Sequence, residues 1–148
     1  MLWREIGLER VFEGLEFFRD EDLKFVRKNS TSSDNEAAVR ILHGLNIDAY
    51  ASFIIRPEFK EADLAALRQY CQRLGLNFAS FAMLTPLPGT DLYEEVKDKL
   101  IMRNYDYFDF IHTQLTTVLP LKEFYAEYQH LYTNGISLSK QLSMLKSF

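Results

Sequence analysis

The chain has 148 residues, 47% of them hydrophobic and 14% aromatic, which is enough to bury one core and excludes disorder over most of the length. Its formal charge of −4 excludes the clustered basic footprint of a nucleic-acid binder, so no nucleic-acid partner is expected. The single cysteine, Cys71, leaves no intrachain disulfide and too few thiolates for an iron–sulfur cluster, and His43, His112 and His130 are too widely spaced to form a short metal-ligand pair. No signal peptide and no apolar run of spanning length stands in the sequence, so a cytoplasmic location is the expectation.

Met1 to Gly7 carries Leu2, Trp3 and Ile6 without a helix cap and reads as the tail of a preceding element. Arg10 to Phe18 is rich in aromatic and apolar residues and predicts a first strand. Its period of two puts Phe12, Gly14, Glu16 and Phe18 on one face and Val11, Glu13, Leu15 and Phe17 on the other. Glu16, near the carboxyl end, reads either as a ligand-facing carboxylate or as a solvated strand-end charge. Asp20 to Lys28 predicts a short helix through Leu23, Phe25 and Val26, followed by a polar loop to Ser33. Ser33 with Glu36 three residues on predicts the cap of a helix whose stripe is Ala37, Val39, Ile41, Leu42 and Leu45.

Asn46 to Pro57 predicts a second strand, and its nearly continuous apolar character predicts cover on both faces. Ser52 and Arg56 share one face. Arg56 at the strand end has two readings, a planar clamp for a carboxylate or phosphate and a structural salt bridge. Glu61 to Leu74 predicts an amphipathic helix closed by Gly75, with Cys71 on the apolar stripe as a core residue rather than a nucleophile.

Leu76 to Leu84 predicts a third strand that delivers the chain into Thr85-Pro86-Leu87-Pro88-Gly89-Thr90. Pro86 biases Thr85 to an extended backbone, and Pro88-Gly89 fills the centre of a type II turn, so this loop is stiff. Either Thr90 or Asp91 caps a helix running to about Leu100. Thr113 to Leu119 alternates and predicts a short last strand, while Asp109 and His112 form an acid–base candidate or a pair that only satisfies hydrogen bonds. Leu121 to Tyr132 predicts a helix. The tail from Ile136 to Phe148 reads as an amphipathic interfacial or partner-binding helix, or as one that packs on its own domain.

Strand–helix–strand–helix–strand–helix predicts an α/β fold with parallel strands. Three or four βα units form either a small doubly wound sheet or a partial (βα) barrel, followed by carboxyl-terminal helices. The division expected is 1–118 for the sheet unit and 119–148 for a helical extension.

Four stretches in order resemble the carboxyl-terminal half of a radical S-adenosylmethionine domain of the type attached to a cobalamin-binding domain. They are Val11-Phe12-Glu13-Gly14-Leu15-Glu16, Val26-Arg27-Lys28-Asn29-Ser30-Thr31, Ser52-Phe53-Ile54-Ile55-Arg56-Pro57, and Leu84 to Tyr93. These resemble the fourth strand, the lysine–threonine loop, the fifth strand and the sixth-strand loop of that domain. Tyr107 to His112 and Leu119 to Tyr125 are similar to the region beyond the barrel in hopanoid C-3 methylase-like members.

The resemblance implies S-adenosylmethionine as cofactor, with a [4Fe-4S] cluster and cobalamin bound in the parent protein outside this segment. It implies that reduction releases a 5′-deoxyadenosyl radical and that methylating members pass a methyl group through cobalamin. Carried over by position, Glu16 contacts the ribose or methionyl part of the cofactor, Ser52 and Arg56 lie near the adenosine and methionyl carboxylate, and main chain around Met83 and Thr85 borders the adenine. Lys28 and Thr31 hold their loop. The family's three clustered cysteines have no counterpart here, and Arg56-Pro57-Glu58-Phe59 stands where many members carry a glycine turn.

The chain is therefore expected to be inactive alone, to need the amino-terminal half of the barrel as partner, and to self-associate through exposed barrel surface. The substrate expected is a small molecule or lipid, which adds membrane-peripheral contact to the possibilities. Three functions compete: a segment of a cobalamin-dependent methyltransferase acting on an unactivated carbon, a radical enzyme of other chemistry such as cyclisation or methylthiolation, and a non-catalytic α/β binding module.

Overall fold

The computed structural model describes residues 2–134; the amphipathic tail expected over 136–148 lies outside the described residues. A short helix α1 (Leu2–Glu5) precedes β1 (Arg10–Glu16), α2 (Asp20–Phe25), α3 (Ser32–Gly44), β2 (Asp48–Ile55), α4 (Glu61–Arg73), β3 (Phe78–Met83), α5 (Asp91–Val96) and α6 (Leu121–Asn134). The three strands form one parallel sheet in the order β1-β2-β3.

A sequential order has a consequence for cover. Two right-handed crossovers that advance in the same direction lay their helices on the same face of a sheet. Alternate residues Ala49, Ala51, Phe53 and Ile55 of β2 and Ala79, Phe81 and Met83 of β3 are accordingly buried, in one cluster with Val39 of α3, Leu64, Leu67 and Cys71 of α4, and Phe124, Tyr128 and Leu131 of α6. The intervening residues Tyr50, Ser52, Ile54, Phe78, Ser80 and Ala82 are half-buried, and Phe12 is 65% exposed. Cover on both faces of β2, expected from its apolar run, is not what the structure has. The second face carries its aromatic residues at its amino end, where Phe12, Tyr50 and Phe78 line up in register with ring centroids 5.3 and 6.2 Å apart, and Ile54 stands nearer its carboxyl end.

The strand expected over Thr113 to Leu119 is absent. Its threonines bond locally instead, Thr113 Oγ1 donating to Leu115 O at 3.0 Å and Thr117 Oγ1 to Leu119 O at 2.7 Å, which competes with ladder formation. The outer edge of β3 is also already occupied. Tyr128 and Tyr132 hydroxyls donate to Phe81 O at 2.7 and 3.1 Å, and Met83 N donates to Phe110 O at 2.7 Å. Helix α6 thus caps a sheet edge as well as packing on α4 through the Arg68–Glu127 pair at 2.8 Å.

Helix α3 is capped by Thr31, two residues before the expected cap Ser33. Thr31 Oγ1 accepts from Asp34 N at 3.2 Å while Asp34 Oδ2 accepts from Thr31 N at 2.8 Å, a reciprocal box that a threonine and an aspartate close as well as serine and glutamate do. Asn35, in the first turn, faces the sheet. Among the described residues no helix is long and apolar enough to cross a membrane.

Candidate functional site

Parallel sheets offer ligand sites at the carboxyl ends of their strands. That end is formed here by the segments leaving β1, β2 and β3. β1 ends in a bulge: Gly14 pairs with Ser52 and Glu16 with Phe53, so Leu15 is the extra residue, and Glu16 has φ +63. The bulge turns Glu16 back over its own strand, where a Cβ on Gly14 would collide with Glu16 Oε1. Gly14 is therefore required for the carboxylate to lie against the sheet. Lys28 completes the unit, its ammonium donating to the Gly14 carbonyl and standing 3.8 Å from Glu16 Oε1. From the helix side, buried Asn35 donates Nδ2 to Leu15 O at 2.9 Å and Phe17 O at 3.3 Å, fixing both flanks of the bulge. On the same strand the Glu13 carboxyl is pushed above its ordinary range by burial, an effect that Lys28 partly offsets, and Glu13 Oε2 has no hydrogen-bond partner among the described residues.

At the end of β2, Arg56 donates to Asp22 Oδ1 at 2.8 Å and to Glu58 Oε2 at 3.3 Å, and its guanidinium lies 4.3 Å above the Phe25 ring. Asp22 is 2% exposed and its other oxygen accepts from Arg19 Nε at 2.7 Å; Arg19 reaches Asp63 at 2.6 Å. Alternating charges thus tie α2, the β2 end and the start of α4 together. Of the two readings of Arg56, the structural ion pair is the one the geometry displays, and a ligand carboxylate would compete there with Asp22. Asp22 and Asn35, which do the positioning, carry no sequence signal beyond being polar residues on helices.

Ser52 sits on the uncovered face, in register between Gly14 and Ser80. Met83 instead turns its side chain, 2% exposed, into the helix layer. Its N–H is held by Phe110 and its carbonyl accepts from Thr85 Oγ1 at 3.0 Å, so the Thr85 hydroxyl is turned onto its own chain. The stiff loop is built as expected: Thr90 N donates to Leu87 O at 3.1 Å across Pro88-Gly89, with Gly89 at φ +89. Thr90 rather than Asp91 caps α5, accepting from Tyr93 N at 3.2 Å. Glu16 and Ser52 therefore share the open face, while Arg56, Met83 and Thr85 lie along the rim with side chains or main-chain groups engaged within the protein.

Beyond α5, Asp109 Oδ2 and His112 Nδ1 are 2.7 Å apart, and Asp109 Oδ1 accepts from the amides of Ile111 and His112 at 2.9 Å. The His112 amide bond leads the causes that bring the Asp109 carboxyl down to about 2. The pair closes its own turn, and the Tyr107 ring packs edge-on against His112 with centroids 5.0 Å apart. Cys71 is buried and its thiol is pushed up to about 12 by burial. Among the described residues no group of three or more His, Cys, Asp or Glu side chains is assembled to hold a metal ion.

Over most of its length the chain is similar to curated proteins of the radical S-adenosylmethionine family. In particular it is 32% identical over 126 residues to the hopanoid C-3 methylase of Methylococcus capsulatus, covering 85% of this chain and 24% of that protein. It is 30% identical over 111 residues to the anaerobic magnesium-protoporphyrin IX monomethyl ester cyclase of Rubrivivax gelatinosus, covering 74% of this chain and 20% of that protein. To the bacteriochlorophyllide d C-12(1)-methyltransferase of Chlorobaculum tepidum it is 32% identical over 108 residues, or 72% of this chain and 24% of that protein. The chain thus spans about a quarter or less of the curated relatives it matches. No family model matches it.

Proposed function

We propose that this chain is the carboxyl-terminal part of a radical S-adenosylmethionine barrel in a cobalamin-dependent methyltransferase, and that its strand ends form part of the cofactor and substrate pocket. The observation that carries the reading is the Gly14–Glu16–Lys28 unit, a carboxylate held at φ +63 over an uncovered sheet face within a stretch that resembles the family's fourth strand. A carboxylate there accepts hydrogen bonds from ribose hydroxyls or a methionyl ammonium. Ser52 offers a hydroxyl on the same face. The sequential strand order with helices on one side favours a barrel over a doubly wound sheet, the uncovered face being its lining.

The residues present fit S-adenosylmethionine in part. Glu16 and Ser52 are disposed to meet it; Arg56 is not, unless Asp22 yields. They do not fit an iron–sulfur cluster, because the one thiol is buried and held protonated. Cluster and cobalamin sites are assigned to other parts of the parent protein, along with the remainder of the barrel that would meet β1. The similarity to a protoporphyrin ester cyclase supports a second reading, in which the same pocket serves radical chemistry other than methyl transfer.

The test is calorimetric titration of S-adenosylmethionine into the chain. Binding at about millimolar affinity is expected, lost in Glu16→Ala and retained in Arg56→Lys. Tight binding indifferent to Glu16→Ala would overturn the assignment. The uncovered face also leads us to expect self-association, which a single monomeric species in concentrated sedimentation runs would refute.

A further inference from the structure

Three helices end in the same hydrogen-bond pattern with a left-handed residue. After α2, Lys28 N donates to Leu23 O and Arg27 N to Lys24 O, both at 3.0 Å; after α3, Ile47 N donates to Leu42 O at 2.9 Å and Asn46 N to His43 O at 3.0 Å. After α4, Leu76 N donates to Cys71 O at 3.2 Å and Gly75 N to Gln72 O at 3.0 Å. This is the paired closure that wants positive φ at its penultimate residue, and the angles are +55°, +55° and +65°. Glycine and asparagine suit that region; arginine, with its Cβ and long stem, does not. The Arg27 side chain gains nothing local in exchange, having no hydrogen bond or ion pair with any described residue, whereas Arg19 and Arg56 beside it are both paired.

Arg27 lines a cleft of about 280 Å³ between the end of α2 and the β3–α5 connection, at the carboxyl end of the sheet. Phe25, Val26, Leu84 and Leu92 supply its apolar part, and Thr90, Asp91 and Glu95 with Arg27 its polar part. The Phe25 ring is held by Arg56 above it. We infer that this cleft binds an amphipathic carboxylate, its apolar body against Phe25, Leu84 and Leu92 and its carboxylate on the Arg27 fork. Asp91 and Glu95 keep the anionic end away from their side and make a dianion such as a phosphate monoester less favourable than a single carboxylate. The inference rests on the proposed function only in taking the carboxyl end of the sheet as the substrate side, and it gives that substrate a chemical class.

The probe is decanoate below its micellar concentration, with decanol as the uncharged counterpart, titrated into the chain and followed by amide and Arg27 Nε–H shifts in 1H–15N spectra. Decanoate should bind about tenfold more tightly than decanol and move Arg27, Leu84 and Leu92. Arg27→Gly should lower decanoate affinity about tenfold while raising the melting temperature, because glycine relieves the left-handed strain; loss of binding then cannot be loss of fold. Equal binding of decanoate and decanol, unchanged affinity in Arg27→Gly, or shifts confined to other surfaces would each overturn the site. Decanoate binding that survives while S-adenosylmethionine fails to bind would sink the cofactor reading and leave this one standing.

Discussion

The two faces of the one sheet differ in almost everything except the backbone that joins them. Toward the helices, Phe53, Ile55 and Met83 are at most 2% exposed, and Phe53 stacks on Phe81 with centroids 5.8 Å apart. On the other face the middle row is Gly14, Ser52 and Ser80, small residues in register, with the Glu16 carboxylate lying over Gly14. One face is where burial supplies stability, and the other is where small side chains leave room at the expense of it. The difference teaches that alternation along a strand can separate folding from function residue by residue.

The contrast is easiest to break by truncation. Phe53→Ala should cost about 3–5 kcal/mol in denaturant unfolding, whereas Ser52→Ala, one residue away, should stay within about 0.5 kcal/mol. Similar losses for both would mean that the second face is packed after all. The next effect in size concerns the charges that hold the rim: Asp22→Ala should cost about 3 kcal/mol, since it leaves Arg56 and Arg19 without their shared buried partner. Asn35→Ala should follow at about 1–3 kcal/mol by removing the donor to the Leu15 and Phe17 carbonyls, and backbone amide exchange at Glu16 should quicken with it.

Two smaller effects depend on pH, with opposite signs. The Glu13 carboxyl has a raised folded pKa, so its ionisation penalises the native state fully above that pKa and not at all below the unfolded value. Glu13→Gln should therefore raise the melting temperature near pH 7 and leave it unchanged near pH 4; equal gains at both would assign the effect to packing. Asp109 has a folded pKa lowered to about 2, so its contribution is present above the ordinary carboxylate range and is lost as pH falls through about 2. Exposure keeps that contribution small, and the carboxyl carbon shift of Asp109, followed from pH 5 to pH 1, reads it directly.

Much of the architecture was legible because it is written in local periodicity. The strands Arg10–Glu16, Asp48–Ile55 and Phe78–Met83 fall within their predicted stretches, Glu61–Arg73 and Leu121–Asn134 are helices as their apolar spacing requires, and Pro88-Gly89 makes the expected turn. Thr113 to Leu119 misled because alternation alone does not create a strand: a ladder needs a free edge, and Tyr128, Tyr132 and Phe110 had taken it. The site was legible as a set of positions rather than as an arrangement. Gly14 and Glu16 fall on one face by the period of two, but the fold of the Glu16 carboxylate back over Gly14 follows from a bulge that no such period reveals. Arg56 was a strand-end arginine with two readings, and only the fold could bring up Asp22, 34 residues away, as its partner.

The order of elements, the parallel class, the stiff Thr85 to Thr90 loop and the family resemblance are properties of the sequence by itself, since each depends on neighbours a few residues apart. Which face is covered, where the sheet ends, which arginine is paired and which is left free are decisions of the tertiary structure. They depend on groups far apart in sequence competing for the same carbonyl, carboxylate or apolar surface, and that competition exists only once the chain has closed on itself.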